Sequence, residues 1–247
     1  MKKFLKRLGI FIAALLGTAL LIWLIFPNLP VYSWLKIYML NPQAAPAADA
    51  FPDQPVPESY HQIELNGFTF RVPESVKQDS ELPDKYASDA SAPDAAVLFY
   101  ASDYNSLTDE AAEVLTPAEM ERGQRAFRGE PVQTEYDLHN LMLNVKPEDI
   151  RLTKHGVWRY IYYIFACKDS VYDGGEDTGV SRFETAQVRG FLETGHVKLM
   201  DPELKYFGML SVYDVNDPEH WAKIVIGAND EETMQAMIHS AGIAAET

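Results

Sequence analysis

Leu8 to Phe26 reads LGIFIAALLGTALLIWLIF, nineteen residues without one charged or strongly polar side chain. At a helical rise of about 1.5 Å per residue this run spans roughly 28 Å, close to the ~30 Å hydrocarbon core of a bilayer. Lys2, Lys3, Lys6 and Arg7 precede it, and no further charge occurs until Lys36. Basic flanks stay on the cytoplasmic side. The pattern therefore predicts a cytoplasmic tail over 1–7, a membrane-spanning helix over 8–26, and an extracytoplasmic remainder held at a cell membrane. A cleaved signal peptide is the rival reading. Its apolar region runs to about 7–15 residues, shorter than this one. The nearest small-x-small sites, Ala45-Pro46-Ala47 and Ala48-Asp49-Ala50, lie far beyond Phe26. An uncleaved anchor is the expectation.

Charge sets the rest of the chain apart from the anchor. Four of the 21 Lys+Arg lie before the span, which leaves 17 against 36 Asp+Glu, an acidic excess of 19. Such a domain is repelled by phosphate backbones and anionic lipid headgroups, so nucleic acid is not an expected partner. Its acidity has a plain reason in solubility. With 47% apolar residues the chain can build a core, and some 190 residues beyond the linker suit one domain. Cys167 is the single cysteine, so no intramolecular disulfide can form. It comes directly after YIYYIFA and reads as a buried structural thiol rather than a nucleophile.

Residues 27–57 form an interfacial segment and a linker. Pro27 and Pro30 stop the helix. Val31 to Leu40 carries Tyr32, Trp34 and Tyr38, rings that favour the headgroup layer; it either lies on the membrane or continues into the domain's core. Asn41 to Pro57 holds five prolines and a run of alanines, a semi-stiff spacer.

The domain occupies 58–247. Tyr60–Leu65 and Phe68–Pro73 flank Asn66-Gly67, the dipeptide of a type I′ hairpin. Val76–Pro93 reads as a loop and Ala95–Ala101 as a central strand. Thr116-Pro117-Ala118-Glu119 is a capping box opening a helix to about Phe127, and a second helix runs from Thr134 to near Asn144. WRYIYYIFA at 158–166 is rich in aromatic and β-branched residues and predicts a strand. Further strands are expected at Phe183–Leu192, Tyr206–Tyr213 and Ala222–Ile226. A closing helix comes next, with Asn229 as N-cap and an apolar stripe of Met234, Met237, Ile238 and Ala241. Hairpins and consecutive strands predict an α+β class: an antiparallel sheet with helices packed on it, preceded by one N-terminal transmembrane helix.

The segment Phe68-Thr69-Phe70-Arg71-Val72-Pro73 is similar to the opening strand motif of PsbP-like α/β sandwiches, and strand Ala222–Ile226 with its closing helix resembles their end. Glu74-Ser75-Val76 departs from the family, which usually has an aromatic there. The resemblance covers about fifteen residues; it implies a membrane-anchored bacterial module without known activity and carries over no site residue.

Chemistry leaves little trace. No GxxxxGK[ST], GxGxxG, GxSxG or HExxH occurs, and no histidine has another three or four residues away. Asp173, Glu176 and Asp177, in a glycine-containing loop, offer the hard oxygen ligands of a Ca²⁺ site; a solvated acidic turn explains the same residues. No other cofactor is expected. His220 and Trp221 sit at a turn beside a strand, where recognition residues often lie, although a buried Trp221 is the plainer reading. Gly9, Ala13 and Gly17 form a small-residue strip on the span that would permit close helix contact, or is merely tolerated in lipid. The expected function is a membrane-anchored, non-catalytic binding or accessory protein with an envelope protein or ligand as partner. The alternative is an extracytoplasmic hydrolase whose site, built around His155 or His220, converges only in the fold.

Overall fold

Apolar residues alternate along most of the strands and recur at helical spacing elsewhere, and the computed structural model resolves both patterns into layers. It describes residues 2–38, 46–89, 91–92, 94–172, 179–195 and 204–245. In chain order the helices are α1 (Lys2–Ile25), α2 (Leu29–Tyr38), α3 (Leu107–Val114), α4 (Pro117–Gln124), α5 (Glu135–Asn144), α6 (Trp158–Tyr172) and α7 (Glu231–His239). The strands are β1 (Asp49–Ala50), β2 (His61–Leu65), β3 (Phe68–Val72), β4 (Lys77–Gln78), β5 (Lys85–Ala87), β6 (Ala96–Tyr100), β7 (Gly179–Glu184), β8 (Val188–Thr194), β9 (Tyr206–Asp214), β10 (Trp221–Ala228) and β11 (Gly242–Ile243). Two compact units interleave along the chain. The first comprises Met1–Ala45, Asp109–Val132 and Val145–Ala166; the second comprises Pro46–Thr108, Gln133–Asn144 and Cys167–Thr247.

The first unit is helical. In α1 the stretch Lys6–Ile25 is long and apolar enough to cross a membrane, and none of it is buried. The chain turns at Pro27-Asn28 into α2, whose Leu35 is buried. Asn28 fixes the turn, donating from its backbone N to Leu152 O (3.3 Å) and from Nδ2 to Arg151 O (2.9 Å). Residues 31–38 are thus helical and pack through Leu35, while Trp34, Ile37 and Tyr38 stay exposed. The capping box forms as the sequence predicts: Thr116 Oγ1 accepts from Glu119 N, and the Glu119 carboxylate accepts from Thr116 N. The helix it opens ends at Gln124 rather than Phe127.

The strand expected at 158–166 is instead the first part of α6. Val157, Tyr160, Ile161, Ile164, Phe165 and Lys168 are buried, whereas Trp158, Arg159 and Tyr162 are exposed. Burial at i, i+3, i+4, i+7, i+8 and i+11 is helical spacing, and that period overrides the β-propensity of the individual residues. Gly123 of α4 permits the close approach, since a Cβ there would lie 2.1 Å from Tyr160 Cγ.

The second unit is an α+β sandwich around an eight-stranded sheet of order β1-β7-β8-β9-β10-β6-β5-β4. The sheet is mixed, not purely antiparallel. Asp49 and Ala50, in the segment expected to be a linker, pair in parallel with Ser181 and Arg182 and so supply an edge strand. The single strand expected at 183–192 is a hairpin, β7 and β8, folded where the Thr185 hydroxyl accepts from Val188 N. The expected loop 76–93 contains the short strands β4 and β5.

One face of the sheet carries Leu98, Val188, Leu192, Leu210, Val212, Ile224 and Ile226. It packs on α7 and on a separate three-stranded sheet, β11-β3-β2. Asn66 (φ 50°) and Gly67 (φ 78°) make the β2–β3 turn in the left-handed region that a type I′ hairpin needs. Phe68, Phe70 and Val72 face the core fully buried, each contributing roughly 1.5–3 kcal/mol by leaving water. The closing helix begins one residue later than expected. Asp230 is its N-cap, accepting from Thr233 N at 2.7 Å, while Asn229 donates to Ala95 O and Ala92 O.

Candidate functional site

Strand register puts a second set of side chains on the opposite face of the large sheet. Val180 and Arg182 of β7, Arg189, Phe191 and Glu193 of β8, Ser211 and Tyr213 of β9, and Trp221 and Lys223 of β10 lie opposite one another in turn. Helix α5 covers this half, presenting Tyr136, His139 and Leu143 at i, i+3 and i+7. His139 is buried at 4% exposure. Its Nε2 lies 2.9 Å from Glu193 Oε1 and its Nδ1 2.9 Å from Tyr213 Oη. In the tautomer that donates from Nε2 to the carboxylate, Nδ1 accepts the tyrosine proton. Burial, with the charges of Glu135 and Glu193 nearby, pushes the Tyr213 hydroxyl well above its ordinary value and keeps that proton in place.

The same cluster extends outward. Glu135, also buried, accepts from the backbone N of Leu107 and from Thr108 N and Oγ1, so a carboxylate caps the start of α3. The Arg189 guanidinium lies 3.8 Å above the Tyr136 ring. Lys168, at 1% exposure, donates to Leu143 O (2.7 Å) and Pro46 O (2.5 Å), placing a cation at the C-terminal end of α5. Chemically, Glu193, His139 and Tyr213 form a chain able to hold and orient a proton. Its burial makes it a polar clasp for α5.

His220 and Trp221 stand at the start of β10, beside a turn as the sequence implies, but both are packed. The His220 ring stacks on Phe68 (centroids 4.4 Å apart, planes at 22°) and lies against Gly67, where a Cβ would meet Nε2 at 2.6 Å. His220 Nδ1 is 3.6 Å from Asp214 Oδ2, an ion-pair distance beyond hydrogen bonding. Trp221 is half-buried against the cluster of Phe191 and Tyr213, 6.5 Å between ring centroids from Tyr213. Both residues are partly exposed. Asp173, Glu176 and Asp177 lie outside the described residues. Among the described residues no three His, Cys, Asp or Glu side chains converge as metal ligands. Cys167 is half-buried rather than buried, and His155 is exposed in the loop before α6.

A concavity lies further along the same sheet face, on the half formed by β5, β6 and the start of β9. A cavity of about 360 Å³ opens there, walled by Val97 and Phe99 of β6, Phe207 of β9, Ala87 of β5, and Leu82 and Leu204. Asp84, Lys85, Ser88 and Ser102 supply its polar atoms. Gly227, directly opposite both Val97 and Phe207 in register, leaves room for the Phe207 ring, which a Cβ would meet at 2.6 Å. The alternation of Val97 and Phe99 with Leu98 and Tyr100 is visible in the sequence. What hides the cavity is that Ala95–Ala101, apolar throughout, has the composition of a strand covered on both faces. No protein-family model matches this chain, and no curated protein sequence matches it.

Proposed function

We propose that this chain is a single-pass membrane-anchored module whose extracytoplasmic part binds an apolar ligand without transforming it. The cavity of about 360 Å³ carries the reading. It is a preformed, largely apolar concavity with a few polar atoms at its margin, the usual make-up of a small-molecule site. The hydrolase alternative needs a histidine and a carboxylate together at a surface that substrate reaches. His139 has its carboxylate but is buried, and His220 has one ring face on Phe68 with Asp214 at 3.6 Å. A PsbP-like module belongs to the same proposal; strand β10 and the amphipathic helix α7 that follows it pack together.

Val97→Trp fills the cavity from its floor and tests the reading. Small uncharged aromatic and aliphatic compounds are screened by ligand-observed NMR against the full chain in nanodiscs, with empty nanodiscs subtracted. At least one should bind the natural chain and weaken more than tenfold on V97W, the loss of a well-packed aromatic contact. If no compound distinguishes the two proteins, the ligand-binding reading fails.

A further inference from the structure

We propose that the face of the first unit formed by α2, the loop 151–157 and the start of α6 is a seat for anionic phospholipid headgroups of the leaflet from which α1 emerges. The inference rests on the anchor reading and deepens it. Asn28 lies only three positions beyond Ile25, the last residue of α1, a reach of roughly 10 Å at most. The headgroup layer is itself about 5–8 Å deep. A chain that crosses the bilayer through α1 therefore holds Asn28 at or just outside that layer. Asn28 is 2% exposed because Arg151 and Leu152 close over it, accepting its two N–H groups. Loop 151–157 is thus tied by its backbone to the point where the chain leaves the membrane.

The side chains around that point suit headgroups and not open water. Trp34 stacks on Tyr38 at 5.2 Å between centroids and meets Tyr162 at 6.1 Å. Trp34, Ile37, Tyr38, Trp158 and Tyr162 are each roughly half exposed or more, an aromatic group drawn from two helices. Tryptophan and tyrosine concentrate at the membrane–water boundary, where a ring can be apolar at one end and wet at the other. Charge changes sign as well. Residues 146–159 carry Lys146, Arg151, Lys154 and Arg159 against Glu148 and Asp149, in a chain that elsewhere is strongly acidic. Lys36 engages Glu148, and Arg159 engages Glu119 at 2.9 Å. Arg151 and His155 are exposed and Lys154 is half-buried, on the loop whose backbone holds Asn28, and these are the groups offered to phosphate.

The test uses the full chain in nanodiscs of phosphatidylcholine, with and without phosphatidylglycerol, containing lipids brominated near the headgroup. The emission contributed by Trp158 is the difference between the natural chain and Trp158→Phe. Its quenching should be substantial and should rise with phosphatidylglycerol, and the Arg151→Glu/Lys154→Glu double variant should lose that rise. Circular dichroism of the double variant should be unchanged. If Trp158 stays unquenched, or phosphatidylglycerol makes no difference, the seat is refuted. Alkaline carbonate washing separates that failure from failure of the anchor: a chain that leaves the bilayer on washing overturns both, whereas one that stays while Trp158 remains unquenched overturns the seat alone.

Discussion

Loss of water disfavours the phenolate of several tyrosines of this chain. Burial raises Tyr160 to about 12 from the ordinary value near 10, and it raises Tyr213 and Tyr172 well above that value too. Linkage sets the sign of the effect. Between the unfolded value and the raised folded value the unfolded chain releases protons that the folded chain keeps, so stability present below pH 10 is lost as pH rises. Tyr160 alone should cost about 3 kcal/mol between roughly pH 10 and pH 12, at about 1.4 kcal/mol per unit. The thermal midpoint of the full chain in detergent should therefore be flat through neutrality and fall steeply above about pH 10. Tyr160→Phe, which titrates nothing, should flatten part of that fall; an unchanged slope would contradict the burial described for this ring. None of this is visible in the residues singly. His139, Glu193 and Tyr213 are 54 and 74 positions apart in their pairings, so no local spacing links them. Only their parity on the strands and the i, i+3, i+7 stripe of α5 carry a trace.

At the scale of elements, α4 and α6 show how close packing depends on one missing methyl. An alanine in place of Gly123 gains helix propensity of about 1 kcal/mol. It also puts a Cβ about 2.1 Å from a ring carbon of Tyr160, which is itself 2% exposed and cannot swing away. Overpacking of this kind outweighs the propensity gain, so Gly123→Ala should lower stability by about 2 kcal/mol. Gly17→Ala, with open space around it, meets no such clash and should not lower stability. A melting temperature equal to that of the natural chain for both variants would contradict the packing.

Elements specified by local chemistry are legible in the sequence: the Asn66-Gly67 hairpin, the Thr116 capping box and the stripe of α7 all rest on residues within a few positions of one another. Those decided by what packs against them are not. WRYIYYIFA has strand composition, and its helical period becomes clear only when Val157 and Lys168 join the pattern. The β7–β8 turn, Thr185-Ala186-Gln187, carries neither glycine nor proline and so gives no punctuation. The parallel pairing of Asp49 with Ser181 joins residues that no local rule connects.

For the whole molecule, the central claim is that α1 is retained and crosses the membrane, carrying the rest of the chain on one side. Length and apolarity support it, and the unburied surface of Lys6–Ile25 has no use in water. The most direct measurement is the intact mass of the chain extracted from its own membranes after carbonate washing, coupled to protease access at a C-terminal tag. The account predicts an integral protein at the full 27.8 kDa, with the tag digested from the extracytoplasmic side only. A washed-out chain, or one shortened by its N-terminal segment, would contradict it.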